Sequence, residues 1–408
     1  MKIVHINSMY SGSTGRIMRE LARLSNEKHE VYISYPLFDD RKRGKEKNTI
    51  IIGNRLDGIV HHILGRLTGF CGCYSIRTTK IFINKLEEIS PDIIHLHNLH
   101  NCYINLSMLF NYIKKNNIAV VWTLHDCWAF TGQCAYYSDI KCEKWKEKCG
   151  ECKQINKYPK TYVDVTEKMY KLKKKFFTKV DLLTLLTPSL WLEEQVKESF
   201  LKEYTVITIH NGIDLQVFHP VNSQFKEQHG IENKIMILGI SFCWDRRKGF
   251  DTFCELSKCI DKRKYQIVMV GVKEKQKKYL DKDVICLNKT NNLEELANIY
   301  SAADVFFNPT REEVFGLVNV EALGCGTPVI TYDVGGCKEI IDESCGRVLK
   351  NRDIKKTILA IEEIIVRDMT DACIKRASKF EKNKQYQKYI ELYKEIERKK
   401  YDCIRTAK

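Results

Sequence analysis

Short apolar segments alternate with longer amphipathic stretches through both halves of the chain, and this alternation constrains the fold more than any other feature. In the first half, the segments predicted as strands are Lys2–Ile6, Glu30–Ser34, Ile93–Leu96, Val120–Leu124 and Leu183–Thr187. In the second half, they are Lys234–Ile240, Gln266–Val270, Val284–Leu287, Val305–Asn308 and Pro328–Tyr332. Helical patterns lie between them at Gly15–Asn26, Asn105–Lys115 and Leu293–Ala302. Strands that alternate with helices favour parallel sheets, so the sequence predicts an open α/β fold.

A chain of 408 residues is long enough for two domains with separate cores. The two halves meet at residues 209–220, where Asn211-Gly212 is a turn signal and Pro220 indicates an exposed connection. We therefore predict an N-terminal domain over 1–208, a linker over 209–220 and a C-terminal domain over 221–379. Residues 380–408, rich in Lys, Glu and Tyr, are predicted to form a long helix.

Composition limits the compartment and the partners. The formal charge is +15, from 67 basic and 52 acidic residues, which favours anionic partners such as phosphorylated substrates or acidic lipids. Nucleic acid is not expected, since the sequence has no nucleic-acid-binding motif. No apolar run reaches the roughly 18–20 residues that span a bilayer, and the N-terminus is too polar for a secretory signal. We expect a cytoplasmic protein with reduced cysteines.

The segment from Glu313 to Glu321, followed by Ala-Leu-Gly-Cys-Gly-Thr-Pro, is the strongest candidate for a functional site. It leaves a short apolar strand and is predicted to enter a helix near Phe315. The backbone N–H groups of a first helical turn favour an anion. Eight residues are about two helical turns, which places the two carboxylates on nearly the same face. The pattern suits an elongated ligand with hydroxyl groups and phosphates, such as a nucleotide sugar.

Further polar residues follow other predicted strands, at the edge where ligands bind in open α/β sheets. A glycine-containing loop with Gly12 and Gly15 comes after the first strand, and His125 comes after Val120–Leu124. Arg246-Arg247-Lys248 follows the first strand of the second half, where fixed cations could stabilise a diphosphate. His95, His97 and His100 crowd the end of another strand, but we do not expect a metal there.

These motifs, in this order, resemble those of retaining glycosyltransferases of the GT-B type, in particular the family 4-like, group 1 enzymes of bacterial capsule, exopolysaccharide and O-antigen (lipopolysaccharide) synthesis. The resemblance covers roughly residues 1–395. It implies two facing Rossmann-like domains with an interdomain cleft. It also implies that the C-terminal helix crosses back to the first domain.

The resemblance also implies roles for individual residues. Glu313 would bind the donor sugar, and Glu321 the ribose hydroxyls. The backbone of Phe315, Gly316 and Leu317 would face the sugar and the diphosphate, and Lys248 with Arg246 or Arg247 would neutralise that diphosphate. Gly12 and Gly15 would face the donor phosphates, and His125 the donor sugar. The acceptor side would hold His97 and Asn98.

The function that follows is transfer of a hexose-type sugar, with retention, from a UDP- or GDP-sugar to a lipid-linked saccharide. Glu313, Lys248 and His125 would be the catalytic residues, and no cofactor or catalytic metal is expected. Two alternatives are a sugar phosphorylase and a catalytically silent scaffold of the same fold. A phosphorylase would carry a pyridoxal-phosphate lysine, which no motif marks, and a scaffold would be expected to lose Lys248 or Glu313.

Two features of the first half stand outside that assignment. Cys134, Cys142, Cys149 and Cys152 lie in a Trp- and Lys-rich insertion, with spacings that allow either a structural zinc site or unligated thiols. Segments with basic and apolar residues occur at Arg41–Lys47, His61–Lys80 and Met169–Lys179. They predict either a solvated basic face or peripheral contact with the acidic inner face of the cell membrane.

Overall fold

The computed structural model describes residues 1–37 and 48–406, with side chains described up to residue 399. The chain divides into two compact units. Unit 1 is Met1–Ile209 together with the chain from Tyr386 onward, and unit 2 is His210–Gln385. The basic segment Arg41–Lys47 lies outside the described residues.

Unit 1 has a parallel sheet with helices in the connections. Its strands are β1 Lys2–Ile6, β2 Glu30–Tyr35, β3 Thr49–Ile51, β4 Ile93–Leu96, β5 Ala119–Thr123, β6 Leu183–Thr187 and β7 Thr205–Thr208. Its helices are α1 Gly12–Ser25, α2 Arg55–Thr68, α3 Ile76–Ile89, α4 Leu106–Lys115, α5 Thr166–Phe177 and α6 Leu190–Lys197. In the described residues the sheet order is β3-β2-β1-β4-β5-β6-β7.

Unit 2 repeats this architecture. Its strands are β8 Ile235–Ile240, β9 Tyr265–Val270, β10 Ile285–Leu287, β11 Val305–Asn308, β12 Val329–Tyr332 and β13 Gly346–Leu349, in the order β10-β9-β8-β11-β12-β13. Its helices are α7 Phe225–Gln228, α8 Phe250–Cys259, α9 Glu274–Lys277, α10 Leu293–Ala302, α11 Leu317–Gly324, α12 Ile354–Ile364 and α13 Thr370–Ala377. A last helix, α14, runs over Lys382–Thr406.

In each sheet the order of the strands reverses at one point. Candidate binding sites are expected at that point. β1 pairs with β4 in unit 1, and β8 pairs with β11 in unit 2, so the chain order turns between those strands. Ligands of open α/β sheets bind outside the carboxyl ends of the strands at such a reversal. The segments that follow β1, β4, β8 and β11 are therefore the places to look for binding groups.

The predicted α/β class with two parallel sheets is confirmed. Sequence inspection missed β3, β7 and β13, all of which lie at sheet edges and are partly exposed. Edge strands need no continuous apolar run, so the pattern that reveals central strands is weak in them. None of the described helices is long and apolar enough to cross a bilayer.

The C-terminal helix completes unit 1, as the predicted crossing-back helix requires. Tyr386, Tyr389, Ile390 and Tyr393 of α14 are buried in one core with residues of the first sheet and α1. The Tyr393 hydroxyl lies 2.5 Å from Nδ1 of His95 on β4.

The segment 209–220 is partly a core element of unit 2. Ile213 and Phe218 are buried in its core, and the Ile213 N–H donates to the carbonyl of Phe380 at 2.9 Å. Gly212 fits because a Cβ there would lie 2.5 Å from the Cα of Lys382. His219 and Pro220 are exposed.

Candidate active site

The segment that holds Glu313 and Glu321 leaves the carboxyl end of β11 as a loop. Helix α11 begins at Leu317, and its N-cap Gly316 has a φ of 94°, in the left-handed region. A helix cannot extend backwards through that conformation. The prediction that Glu313 and Glu321 share one helical face is therefore wrong, because Glu313 lies in the loop and Glu321 lies in the helix.

Glu313 forms an ion pair with Lys248, which follows β8. The Nζ of Lys248 donates to Oε2 of Glu313, and the two side chains are 23% and 18% exposed. Burial alone would raise the pKa of Glu313, but the nearby Lys248 and Arg247 hold that pKa below its ordinary value. The loops after β8 and β11 thus bring together two of the three residues predicted to be catalytic.

Backbone contacts fix the position of these cations. The Lys248 N–H donates to Asp245 Oδ1 at 2.8 Å, and the Arg311 N–H donates to the carbonyl of Arg247 at 2.7 Å. Arg247 Nη1 also lies 3.4 Å from the carbonyl of Glu312. Arg246 is exposed to solvent. Arg247 is the arginine of this pair that contacts the β11 loop.

A glycine-containing loop after β12 packs against the backbone of Glu313. Gly335 has a φ of 50°, and a Cβ at this position would lie 1.7 Å from the carbonyl oxygen of Glu313. The next N–H, of Gly336, donates to the same oxygen at 3.3 Å. The loop formed by Val334, Gly335 and Gly336 therefore holds the backbone of Glu313 in place, through a contact that local sequence does not show.

Glu321 is buried within α11. It is 6% exposed, and its Oε2 accepts a hydrogen bond of 3.3 Å from the hydroxyl of Tyr300 in α10. Another tie, from Asn308 Nδ2 to Asn319 Oδ1 at 2.8 Å, links the end of β11 to the same helix. Sequence inspection missed Tyr300 and Asn319, since polar residues in helices have no distinctive spacing.

Unit 1 places a chain of histidines at the corresponding edge of its sheet. His5 Nδ1 lies 3.2 Å from His97 Nε2, and His97 Nδ1 lies 3.1 Å from His125 Nε2. His97 is 1% exposed, so both of its ring nitrogens are used inside the chain of bonds. His97 contacts His125 through its Nδ1, and the carbonyl of Asn98 accepts a hydrogen bond from Tyr103. The acceptor-side position of His97 and Asn98 stays a prediction.

The bonding pattern assigns the protons of this histidine chain. Nε2 of His5 is buried and has no hydrogen-bond partner among the described residues. An unpaired N–H is costlier to bury than an unpaired lone pair, so the proton of His5 belongs on Nδ1. His5 then donates to His97, and His97 donates to His125 Nε2. The neutral ring of His125 therefore carries its own proton on Nδ1, as a donor.

These histidines give unit 1 a specific dependence on pH. Burial lowers the pKa of each ring in the cluster, to about 3 at His5 and about 4 at His125, and also lowers it at His95 and His97. The unfolded chain binds protons below pH 6.5, whereas the folded rings stay neutral. The contribution of these rings to the free energy of unfolding is therefore fully present above pH 6.5. It decreases as the pH falls towards about 4, by up to about 1.4 kcal/mol per pH unit for each ring.

We expect hydrogen exchange in β4 and β5 to report a clearly lower free energy of opening at about pH 5 than at about pH 7, after correction for intrinsic rates. His95→Gln should flatten this dependence, and His219→Gln, at an exposed position of unit 2, should leave it unchanged. Equal opening free energies at the two pH values would contradict the neutral cluster.

A second group of hydrogen-bonded side chains in unit 1 is formed by His100, Asp126 and Tyr158. His100 Nε2 pairs with Asp126 Oδ2 at 2.9 Å, and His100 Nδ1 lies 2.8 Å from the Tyr158 hydroxyl. Burial opposes a charged ring, yet Asp126 raises the pKa of His100 above its ordinary value. Burial likewise opposes ionisation of Asp126, and His100 lowers the pKa of that carboxyl. Asp126 also accepts from the Trp128 N–H at 2.9 Å, which fixes the loop after β5.

The loop after β1 makes a sharp turn into α1. Gly12 has a φ of 80°, and a Cβ on Gly15 would lie 2.3 Å from the carbonyl oxygen of Tyr10. The positive φ favours glycine at position 12, and the close contact with Tyr10 requires glycine at position 15. The loop follows β1, at the same reversal of the sheet as His97.

The candidate metal ligands behave differently in the two clusters. Among the described residues, the His5, His95 and His97 rings offer nitrogens within 4.8 Å of one another. Both nitrogens of His95 and His97 form hydrogen bonds, whereas Nε2 of His5 forms none in this part of the structure. The four insertion cysteines, Cys134, Cys142, Cys149 and Cys152, line one cavity of about 250 Å³. Their sulfurs do not form a group of that closeness in the described part of the chain. The zinc site stays a prediction, which metal analysis of purified protein decides.

Comparison with solved structures identifies the fold. Sucrose-phosphate synthase from Thermosynechococcus elongatus has a TM-score of 0.72 and 20% identity, covering 97% of this chain and 98% of that one. Anabaena HepE in complex with UDP-glucose has a TM-score of 0.64 and 14% identity, covering 97% and 100%. At these identities the likeness shows the fold, which is that of the GT-B glycosyltransferases.

The family follows from the sequence. A model described as Glycosyltransferase Family 4 matches residues 10–217, about half of the chain, and one described as Glycosyl transferases group 1 matches residues 222–387. The chain belongs to the family 4 glycosyltransferases. A curated relative, the putative colanic acid biosynthesis glycosyl transferase WcaC of Escherichia coli, is 24% identical over 282 residues. That match covers 66% of this chain and 66% of the relative, so the chain spans about two thirds of the relative's length.

Proposed function

We propose that this protein transfers a hexosyl group, with retention, from a UDP- or GDP-sugar to a lipid-linked saccharide in surface polysaccharide synthesis. The observation that carries the proposal is the Lys248–Glu313 pair, which lies where the sheet of unit 2 reverses. The pair offers a cation for phosphate and a carboxylate for hydroxyl groups at one point. A nucleotide sugar has both kinds of group.

Donor binding would rearrange this pair. The diphosphate competes with Glu313 for the ammonium of Lys248, and Arg247 adds a second cation beside it. Glu313, released from Lys248, then accepts hydrogen bonds from hydroxyl groups of the donor sugar. The N–H groups at the start of α11 add to the positive potential. HepE, which has the same fold, was solved with UDP-glucose, and this supports a nucleotide-sugar donor.

Transfer with retention needs no protein nucleophile. The bond between the anomeric carbon and the phosphate oxygen breaks, and the acceptor hydroxyl oxygen forms its new bond on the same face. The acceptor proton passes to the departing phosphate, whose charge Lys248 and Arg247 stabilise. Glu313 holds the sugar while this happens. His125 would donate its Nδ1–H to a sugar hydroxyl, in the tautomer that His97 enforces.

The acceptor is the less constrained substrate. The relative WcaC is described as a biosynthetic enzyme of a polysaccharide, colanic acid. Such acceptors are built on lipids, and the exposed apolar side chains of His61–Lys80 with the exposed lysines of Met169–Lys179 would suit an acidic membrane surface. We therefore propose that the enzyme acts in the cytoplasm, at the inner face of the cell membrane.

A thermal-shift panel of UDP- and GDP-linked hexoses tests the donor assignment. A true donor at about one hundred times its Kd should stabilise the folded protein by about 2.7 kcal/mol, which raises the melting temperature by several degrees. Lys248→Gln should remove most of that shift, whereas Lys282→Gln, a substitution outside the site, should keep it. If no nucleotide sugar shifts the melting temperature, the proposal fails.

A further inference from the structure

Unit 1 contains a cavity of about 200 Å³ whose described lining includes cations and no carboxylate. The basic side chains at its wall are Arg66 from α2, Lys157 and Lys160 from the loop before α5, and Lys173 from α5. Nε of Arg66 is buried and has no hydrogen-bond partner among the described residues. A cavity with this composition is complementary to an anion.

Lys173 shows how strongly this cavity is polarised. It is fully buried, its Nζ donates to the carbonyls of Trp128 and Thr131 at 2.7 and 3.0 Å, and it lies 3.5 Å from the centre of the Trp128 ring. Burial lowers its pKa to about 7. A buried ammonium whose direct partners are carbonyls and a ring is stabilised further by any anion that enters.

The outer face of α2 is apolar. Leu56, Ile59, Val60, Ile63 and Leu67 are 43–73% exposed. They recur at three- and four-residue intervals, so they form one stripe along the helix. The cavity-lining residues His62, Gly65 and Arg66 come from the adjoining face of the same helix. An exposed apolar stripe of this length marks an interaction surface.

We propose that this cavity and the α2 stripe together bind a phosphate-bearing amphiphile of the membrane, with its phosphate among the cations and its hydrocarbon against the stripe. A protein partner would cover the apolar stripe but would not account for the cationic cavity, and a free phosphate would not account for the stripe. A phosphorylated lipid would both cover the stripe and pair with the cations. The inference rests on the proposed function, because it identifies where a lipid-linked acceptor would anchor.

Flotation of the full-length protein with lipid vesicles tests this site. We expect it to float with vesicles of phosphatidylcholine and phosphatidylglycerol, and weakly with phosphatidylcholine alone. Ile63→Asn combined with Leu67→Asn should lower the partition coefficient at least about tenfold, because two apolar side chains no longer enter the bilayer. Arg66→Gln should lower it about fivefold. Inorganic diphosphate should compete with the anionic vesicles.

Matched variants separate this site from general attraction by the charge of +15. Leu359→Asn with Val366→Asn removes two exposed apolar side chains of unit 2, and Arg263→Gln removes one exposed charge. These controls should float like the wild type. Equal losses in Arg66→Gln and Arg263→Gln, or no flotation of the wild type, would overturn the proposal.

A second copy of the chain is the competing occupant of the stripe. If the Ile63 and Leu67 variant converts a dimer into a monomer in light scattering, α2 is a subunit interface and the lipid site is refuted. Flotation needs no nucleotide sugar, and the thermal-shift panel needs no membrane. The failure of this site and the failure of the proposed transfer are therefore distinguishable.

Discussion

Glu313→Gln should lower kcat about a hundredfold to a thousandfold while the protein stays folded. The substitution keeps the size of the side chain but removes the charge that pairs with Lys248 and binds the sugar hydroxyl groups. About a fifth of each side chain of the pair is exposed, so the remaining Lys248 can be rehydrated by water. Release of nucleoside diphosphate, with the donor chosen by thermal shift, measures the effect, and circular dichroism monitors the fold.

Three further variants make that experiment specific. Glu343→Gln, an exposed carboxylate elsewhere in unit 2, should retain normal turnover. Lys248→Gln should also lose activity, and the double variant should lose much less than the sum of the two free-energy changes, because each group acts through the other. Near-normal turnover by Glu313→Gln would refute the assignment of this site.

Gly335→Ala should destabilise unit 2 by at least about 3 kcal/mol. The new Cβ would lie 1.7 Å from the carbonyl oxygen of Glu313. Neither atom can move away by a side-chain rotation, because both are attached directly to the backbone. The loops after β11 and β12 must separate to relieve it, so donor binding should also be lost. Urea unfolding followed by the fluorescence of Trp244, in the core of unit 2, measures the change.

Gly230→Ala is the matched control for that substitution. Gly230 also has a positive φ, of 63°, but nothing lies within 4 Å of the position its Cβ would take. We expect a cost of about 1–2 kcal/mol, from backbone conformation alone. Equal effects of the two substitutions would show that the contact between the loops contributes nothing to stability.

The sequence predicts the central strands and the class of fold because buried parallel strands are continuous apolar runs. Ile93–Leu96 and Val305–Asn308 were located without error for this reason. The sequence also singles out Lys248 and Glu313 as candidate site residues. They are far apart in the chain but follow strands that pair in the sheet. Their ion pair depends on the register of β8 with β11, which local pattern does not contain.

Other parts of the site had no local signal. His5 lies inside an apolar strand and looks like an irregular core residue, until the fold brings it to His97. The predicted helix start near Phe315 is close to the observed start at Leu317, but Glu313 was placed on the helical face because the left-handed φ of Gly316 is a property of the folded loop. The support that Gly335 gives to Glu313 is likewise a tertiary contact. The burial of His97 had no local signal either, since the sequence shows that it follows a strand but not how deeply its side chain is buried.

The hydrogen bond between His95 and Tyr393 affects the order in which the two units can fold during synthesis. These residues are separated by 298 positions, and Tyr393 is synthesised after strands β1 to β13 of both units. Tyr386, Tyr389 and Tyr393 complete the core of the domain that is made first. Unit 1 therefore keeps an open apolar surface until α14 has been synthesised. A nascent chain stalled before α14 should bind chaperones through unit 1, whereas unit 2 could already be folded.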